Sequence, residues 1–309
     1  MRLPDYIWTR SVRKQMRHRR KEIQPVSCSI GYAGIRSEGK TGFVTVSSVI
    51  EAVDVSPLIR RVMAAGAEPV GITGSLLLPE DTPEQELRSR VAALERACAE
   101  QGVEIMQLEV SHSRAVREAV MQLTLLGRRR PLPEEILSDR AGAGQMIVMS
   151  GWAGTEGMKC LLREERERLE QQFSAYYIRQ AEHYAEIRLP QMECRLAAEY
   201  GVTAMQAAGE GGIYDALWQL GESTGRGMEV ELYQIPVRQE TVEIAELCEQ
   251  DLYRMRAGGA YLMVTDRGEE LVERLHQAQI PAAVIGRIRG DRDRVILFHE
   301  ERRYLEPYR

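Results

Sequence analysis

From residue 27 onward the chain alternates between β-branched runs and amphipathic stretches. It does so twice, on either side of a crossing at 127–144 that gathers Arg128, Arg129, Arg130, Pro131 and Pro133 among its glycines. A switch between period-2 and period-3.6 patterns calls for sheets covered by helices. A stretch mixing charge, proline and glycine has the composition of an interdomain connection. The expectation is an α/β (α+β) protein in two domains, because 309 residues exceed the size at which one hydrophobic core stops growing. The expected division is a helical arm at 1–25, an N-terminal domain at 26–143 and a C-terminal domain at 144–309.

In the first half, strands are expected at 43–50, 69–78, 104–110 and 119–126. A helix should start at Pro57 after Ser56, and Thr82, Pro83 and Gln85 read as a capping box opening a helix to about Gln101. In the second half the pattern predicts strands at 146–150, 228–232, 260–264, 282–288 and 295–298. It predicts helices at 158–185, after Pro190, and at 212–220, 238–249 and 269–279. The arm over 5–23 reads as a helix whose Ile7, Trp8, Val12 and Met16 recur beneath an arginine-rich face.

Composition narrows the function. With 44% hydrophobic and 28% charged residues the chain can bury a core, which excludes wholesale disorder. Its net charge of −5 is not that of a protein coating nucleic acid or an anionic membrane. Cysteines 28, 98, 160, 194 and 248 stand at least 34 positions apart, which suits reduced core thiols rather than a disulfide framework or zinc knuckle. The N-terminal residues lack the apolar run of a secretory leader, and the charge-free stretch 141–155 is too short to cross a bilayer. A cytoplasmic protein without membrane contact is expected.

Several motifs have a bland reading that outweighs the sharp one. Gly34, Gly39, Lys40 and Thr41 fit the spacing of a phosphate-binding loop, but a strand-like run, 43–46, follows where a helix N-terminus is needed, so a turn between strands is expected. Gly221-Glu222-Ser223-Thr224-Gly225 imitates a nucleophile elbow in the reversed context of helix then strand, and reads as a helix C-terminal turn. The five histidines, at 18, 112, 183, 276 and 299, have no metal-ligand spacing. The run 17–21 has no interleaved aromatics and reads as a solvated helix face, so nucleic acid is not expected as a partner. The strongest local signal is the turn with Gly151, Gly154 and Gly157. It follows a buried strand and opens a helix, the context in which backbone amides receive an anion.

The second half resembles a known pattern. Residues 145–151 with Gly154 and Gly157, then 211–217, 225–227, 235–238 and 258–262, fall in the order and spacing of the PurM-like superfamily, nearest its HypE-like branch. In the first half, 65–69 and 76–79 resemble the helix-to-strand step of its N-terminal domain. The resemblance implies a dimer in which two N-terminal sheets meet, with ATP bound between those sheets and the C-terminal domain. It also implies ATP-dependent activation of an amide, carboxylate or related oxygen. It points to Gly151, Gly154, Gly157, Gly211, Gly212 and Glu109 as the cofactor-binding positions.

The sequence departs from that pattern where Mg²⁺ needs hard oxygen ligands. Ser47 or Ser48 stands for one aspartate and Arg61 for another, while Gln107-Leu108-Glu109-Val110 replaces the glycine-glycine-aspartate-threonine element. Ala207 and Glu210 replace the aspartate and arginine before the paired glycines, Glu156 replaces a histidine, and no cysteine follows Cys248 to serve as a terminal carrier. The leading expectation is a non-catalytic or ligand-binding homodimer with a degraded ATP·Mg site, no assigned catalytic residue, no metal and no cofactor. It would take a small anionic ligand or a protein partner. The alternative is an ATP-dependent enzyme using Mg²⁺, with Glu109 joined by Glu51, Asp54 or Glu68. A second alternative is an RNA- or partner-binding module acting through the basic arm.

Overall fold

The computed structural model describes residues 11, 23–24, 32–37, 40–50, 53–129, 140–187, 189–299 and 301–307. They fall into two compact units, one within 18–131 and one from Leu132 onward.

The first unit holds strands β1 (Ile23–Gln24), β2 (Tyr32–Ser37), β3 (Lys40–Ile50), β4 (Ala67–Leu78), β5 (Glu104–His112) and β6 (Val120–Arg129), in the order β1-β2-β3-β6-β4-β5. All neighbours are antiparallel except β4 and β5. That parallel pair is bridged by helix α2 (Glu84–Glu100), the crossover such a pair requires. Helix α1 (Ser56–Ala64) buries Leu58, Ile59 and Val62. It lies on the sheet face that buries Val44, Val46, Ile72, Leu76, Leu123 and Leu125, and a Cβ on Gly127 would stand 2.3 Å from Val62 Cγ1. The opposite face alternates with these residues and mixes polar side chains with half-buried or exposed apolar ones such as Leu126, Val49 and Leu77.

The second unit has strands β7 (Met146–Ser150), β8 (Ala204–Ala207), β9 (Gly227–Glu231), β10 (Tyr261–Thr265), β11 (Ala282–Arg289), β12 (Arg294–Phe298) and β13 (Glu301–Tyr304), in the order β13-β12-β9-β11-β7-β10-β8. Its helices are α3 (Thr155–Glu164), α4 (Arg166–Gln172), α5 (Ala175–Tyr184), α6 (Gln191–Glu199), α7 (Gly212–Thr224), α8 (Gln239–Leu247) and α9 (Gly268–Gln277). Strand β7 is interior, between β11 and β10, and feeds two cores by alternation. Ile147 and Met149 join the core under α7, while Val148 joins Leu196, Leu271 and Leu275 of α6 and α9. A third core gathers Met158, Ile178 and Ile244 from α3, α5 and α8.

Four differences from the sequence reading have physical causes. The helix expected over 158–185 is three helices: Glu165 leaves the helical conformation between α3 and α4, and before α5 Phe173 is extended while Ser174 Oγ accepts the Tyr177 amide at 3.2 Å. The capping box at Thr82 does not form: its hydroxyl donates to the Pro79 carbonyl at 2.8 Å and Pro83 precedes α2. Strands β8 and β13 went unseen, one being Ala-Met-Gln-Ala and the other Glu-Arg-Arg-Tyr, without β-branched residues. The arm helix lies almost wholly outside the described residues, and its last residue, Ile23, belongs to β1.

Two decoys take their bland form. Ser37 pairs with Lys40 between antiparallel β2 and β3, and Gly225 ends α7 with φ +64° ahead of β9. Among the described residues no helix is long and apolar enough to cross a membrane.

Candidate functional site

In the second unit, four of the expected site glycines, 151, 154, 157 and 212, converge on one loop, 251–260. Gly151 leaves β7 with φ +79°, and a Cβ there would lie 2.3 Å from the Gly259 carbonyl oxygen, so no side chain fits. Gly212 opens α7 with φ +72°, where a Cβ would meet the Tyr253 and Met255 carbonyls at 2.4 and 2.6 Å. Between these close approaches the loop is stitched on both sides. Gly157 N donates to Arg256 O at 2.8 Å, Ile213 N to Tyr253 O at 2.9 Å, and Ala257 N to Gly209 O at 3.1 Å. Gly154 precedes α3 and packs against Leu252 and Thr241, while Gly211 precedes α7.

This arrangement assigns the turn's amides. Gly151 N donates to Pro281 O at 2.8 Å and Ala153 N to Pro236 O at 2.9 Å, so with Gly157 three donors of the 151–157 turn already serve carbonyls. Glu156 supplies a carboxylate to the same frame, its Oε2 accepting from Gly258 N at 3.0 Å. Tyr214 and Tyr253 stack beside the loop at 5.4 Å, and burial, with Asp251 second, pushes the Tyr214 hydroxyl up to about 12. It stays protonated at physiological pH. Behind α7, a buried chain runs from Gln206 to Gln219 at 3.1 Å and on to Asp215 at 2.6 Å, fixing the helix on β8.

Glu109 belongs to the first unit, on edge strand β5, where it is exposed. Its cross-strand row is Ser75, Gln122 and Val49; the next row is Gln107, Thr73, Thr124 and Ser47. Both rows lie on the face away from α1. Ser47 Oγ and Thr124 Oγ1 share a hydrogen bond of 2.7 Å, and Gln122 Nε2 donates to Thr124 Oγ1 at 3.2 Å. Of the other acids considered, Asp54 accepts the Ser56 amide at 2.9 Å, and Glu68 pairs with Arg128 at 3.7 Å. Glu68 stands seven residues along β4 from Ser75, the register partner of Glu109, hence roughly 20 Å away at about 3.3 Å per residue. Glu51 lies outside the described residues.

Mg²⁺ takes oxygen ligands at about 2.1 Å. The donor set around Glu109 does not fit it, since every same-face neighbour is neutral. Among the described residues no three His, Cys, Asp or Glu side chains come together as a metal site.

Sequence reasoning took Arg238 only as part of the 235–238 motif, with no site role, and did not single out Tyr184. The Arg238 guanidinium lies over the rings of Trp152, at 4.6 Å, and Tyr184, at 3.9 Å, beside the glycine turn. The available signal was Trp152 itself, a large aromatic within a glycine-rich turn.

A family model described as AIR synthase related protein, C-terminal domain, matches residues 142–298. The carbamoyl dehydratase HypE of Azotobacter vinelandii is 26% identical over 254 residues, spanning 80% of this chain and 72% of that protein. Among solved structures, the HypE–HypF complex superposes with a TM-score of 0.68 at 16% identity, covering 89% of this chain and 93% of that one. AaThiL complexed with AMPPCP and TMP gives a TM-score of 0.68 at 17% identity, covering 94% and 93%. These likenesses bear out the PurM-like, HypE-like fold expected from the motifs.

Proposed function

Because this chain belongs to the AIR synthase-related family, we propose that it is a HypE-like member that has kept the family's frame and lost its MgATP chemistry, acting as a non-catalytic homodimer. The observation that carries this reading is the neighbourhood of Glu109, the one acid retained among the positions the family fills with metal ligands. Ser75, Gln122, Gln107 and Thr73 surround it on its sheet face, and none brings a second carboxylate with which to hold the Mg²⁺ of a bound triphosphate. In the glycine turn, Glu156 stands where the resemblance calls for a histidine, its carboxylate occupied by the Gly258 amide.

The dimer is proposed to form through the face of the first sheet that α1 leaves uncovered. Phe43, Val49 and Leu77 stand on that face at 42%, 59% and 36% exposure, a set of large apolar groups that association would bury. A second copy is the proposed partner, and a small anion or another protein would be bound by the assembled dimer. Phosphate release from MgATP tests the catalytic half of the reading. Turnover at background level is expected, whereas steady release that scales with protein and stops in a Glu109→Ala variant would establish an ATP-dependent enzyme instead.

A further inference from the structure

Four described arginines of the second unit besides Arg238 lie over aromatic rings. Arg254 over Tyr214 has Asp251 at 3.4 Å, Arg267 over Tyr200 has Glu270, and Arg294 over Trp218 has Glu222 at 2.6 Å. Arg302, over Tyr304, is exposed on edge strand β13. Arg238 differs from all of them. It is half-buried and its Nε is shut from solvent without a hydrogen-bond acceptor, a trait shared by Arg294 alone of the four; but Arg294 has Glu222 to answer its charge, whereas no described carboxylate pairs with the Arg238 guanidinium. A donor stripped of water and left unanswered is costly, and a cation held against ring faces presents its edge in a fixed plane.

We propose that Arg238, with Trp152 and Tyr184, is a metal-independent site for one oxyanion group, a carboxylate or a phosphate. The fork of the guanidinium matches two oxygens of such a group, and the rings limit its rotation. Arg238 also immediately precedes α8, whose first-turn amides and helix dipole favour negative charge beside it. Trp152 is carried by the glycine turn, and the Ala153 amide is tied to Pro236 O at 2.9 Å, so the turn and the Arg238 segment are held as one piece. The site therefore sits on a side chain, while three amides of the turn are committed to carbonyls. It goes beyond the reading of the dimer and stands whether or not the chain turns over ATP.

The test is titration of the full chain, in EDTA, with inorganic phosphate and separately with acetate, following the Arg238 Nε–H resonance. That signal is assigned by its loss in Arg238→Lys. Saturable shifts with phosphate only, or with both anions, support the site and say which group it takes. Calorimetry on the variants should find binding abolished in Arg238→Gln and weakened about tenfold in Arg238→Lys, which keeps the charge without the fork. No saturation by either anion, or wild-type affinity in Arg238→Gln, overturns the proposal. Should Arg238→Gln not fold, wild-type affinity in Arg238→Lys does so.

Discussion

The two units show different sides of the same inheritance: the second has lost an aspartate at Ala207 yet keeps its glycine frame, while the first shows chiefly the lost acids. In the second, the glycines at 151, 154, 157 and 212 meet one loop, with backbone approaches too close for any side chain at 151 or 212. In the first, the positions where the family resemblance calls for acids carry Ser47 or Ser48, and Arg61, and Glu109 has only neutral side chains in its own cross-strand row and the next. The contrast teaches that a frame and its chemistry answer to different constraints. Losing Gly151 would break the loop's packing, whereas replacing an aspartate at the surface of a sheet leaves the fold intact and removes only a charge.

The sharpest way to break this comparison is to put a methyl group at a glycine in each unit. Gly212→Ala sets a Cβ 2.4 Å from a backbone carbonyl at φ +72°, and should cost about 3 kcal/mol or more in urea unfolding. Gly102→Ala in the first unit, at φ +66° with open space around it, should cost only about 1 kcal/mol. Equal costs would show that the loop around 251–260 yields more easily than its packing implies.

A smaller effect is expected on the uncovered sheet face. Val49→Lys with Leu77→Lys should weaken self-association by about 2 kcal/mol, roughly thirtyfold, without lowering the stability of the protomer. Sedimentation should then find species of 35.0 kDa where the unaltered chain sediments at twice that mass. A monomeric unaltered chain would remove the dimer from the account.

The smallest effect concerns Glu193 in the first turn of α6. It is 8% exposed, and burial, outweighing a backbone hydrogen bond, holds its carboxyl above the ordinary 4.5. Since the folded value is raised, its contribution to stability is present in full below 4.5 and is lost as pH rises through the folded value. Glu193→Gln should therefore gain under about 1 kcal/mol at neutral pH and nothing in acid, as read from melting temperature against pH. A gain independent of pH would deny the burial cause.

What was legible in the sequence followed local chemistry. Strand β7 was expected over 146–150 and spans Met146–Ser150, because an uncharged apolar run ending at a glycine has few other readings. The glycines of the turn were legible for the same reason. The division of the 158–185 helix into three was not, since charged residues run through it and the break before α5 rests on a single extended residue, Phe173, followed by the Ser174 cap. Nor was the meeting of Arg238 with Tyr184 and Trp152, which joins positions far apart in the chain. The neutrality of the Glu109 surroundings needed the strand order: β6 and β4 separate Glu109 from Ser47, and only the register places Ser75 and Gln122 beside it.

Calorimetric titration of the full chain with ATP, in excess Mg²⁺ and again in EDTA, tests the loss of MgATP chemistry most directly. The account predicts that Mg²⁺ confers no affinity, because Glu109 has no acidic neighbour on its sheet face with which to hold the ion. Micromolar binding that requires Mg²⁺ and disappears in Glu109→Ala would contradict it.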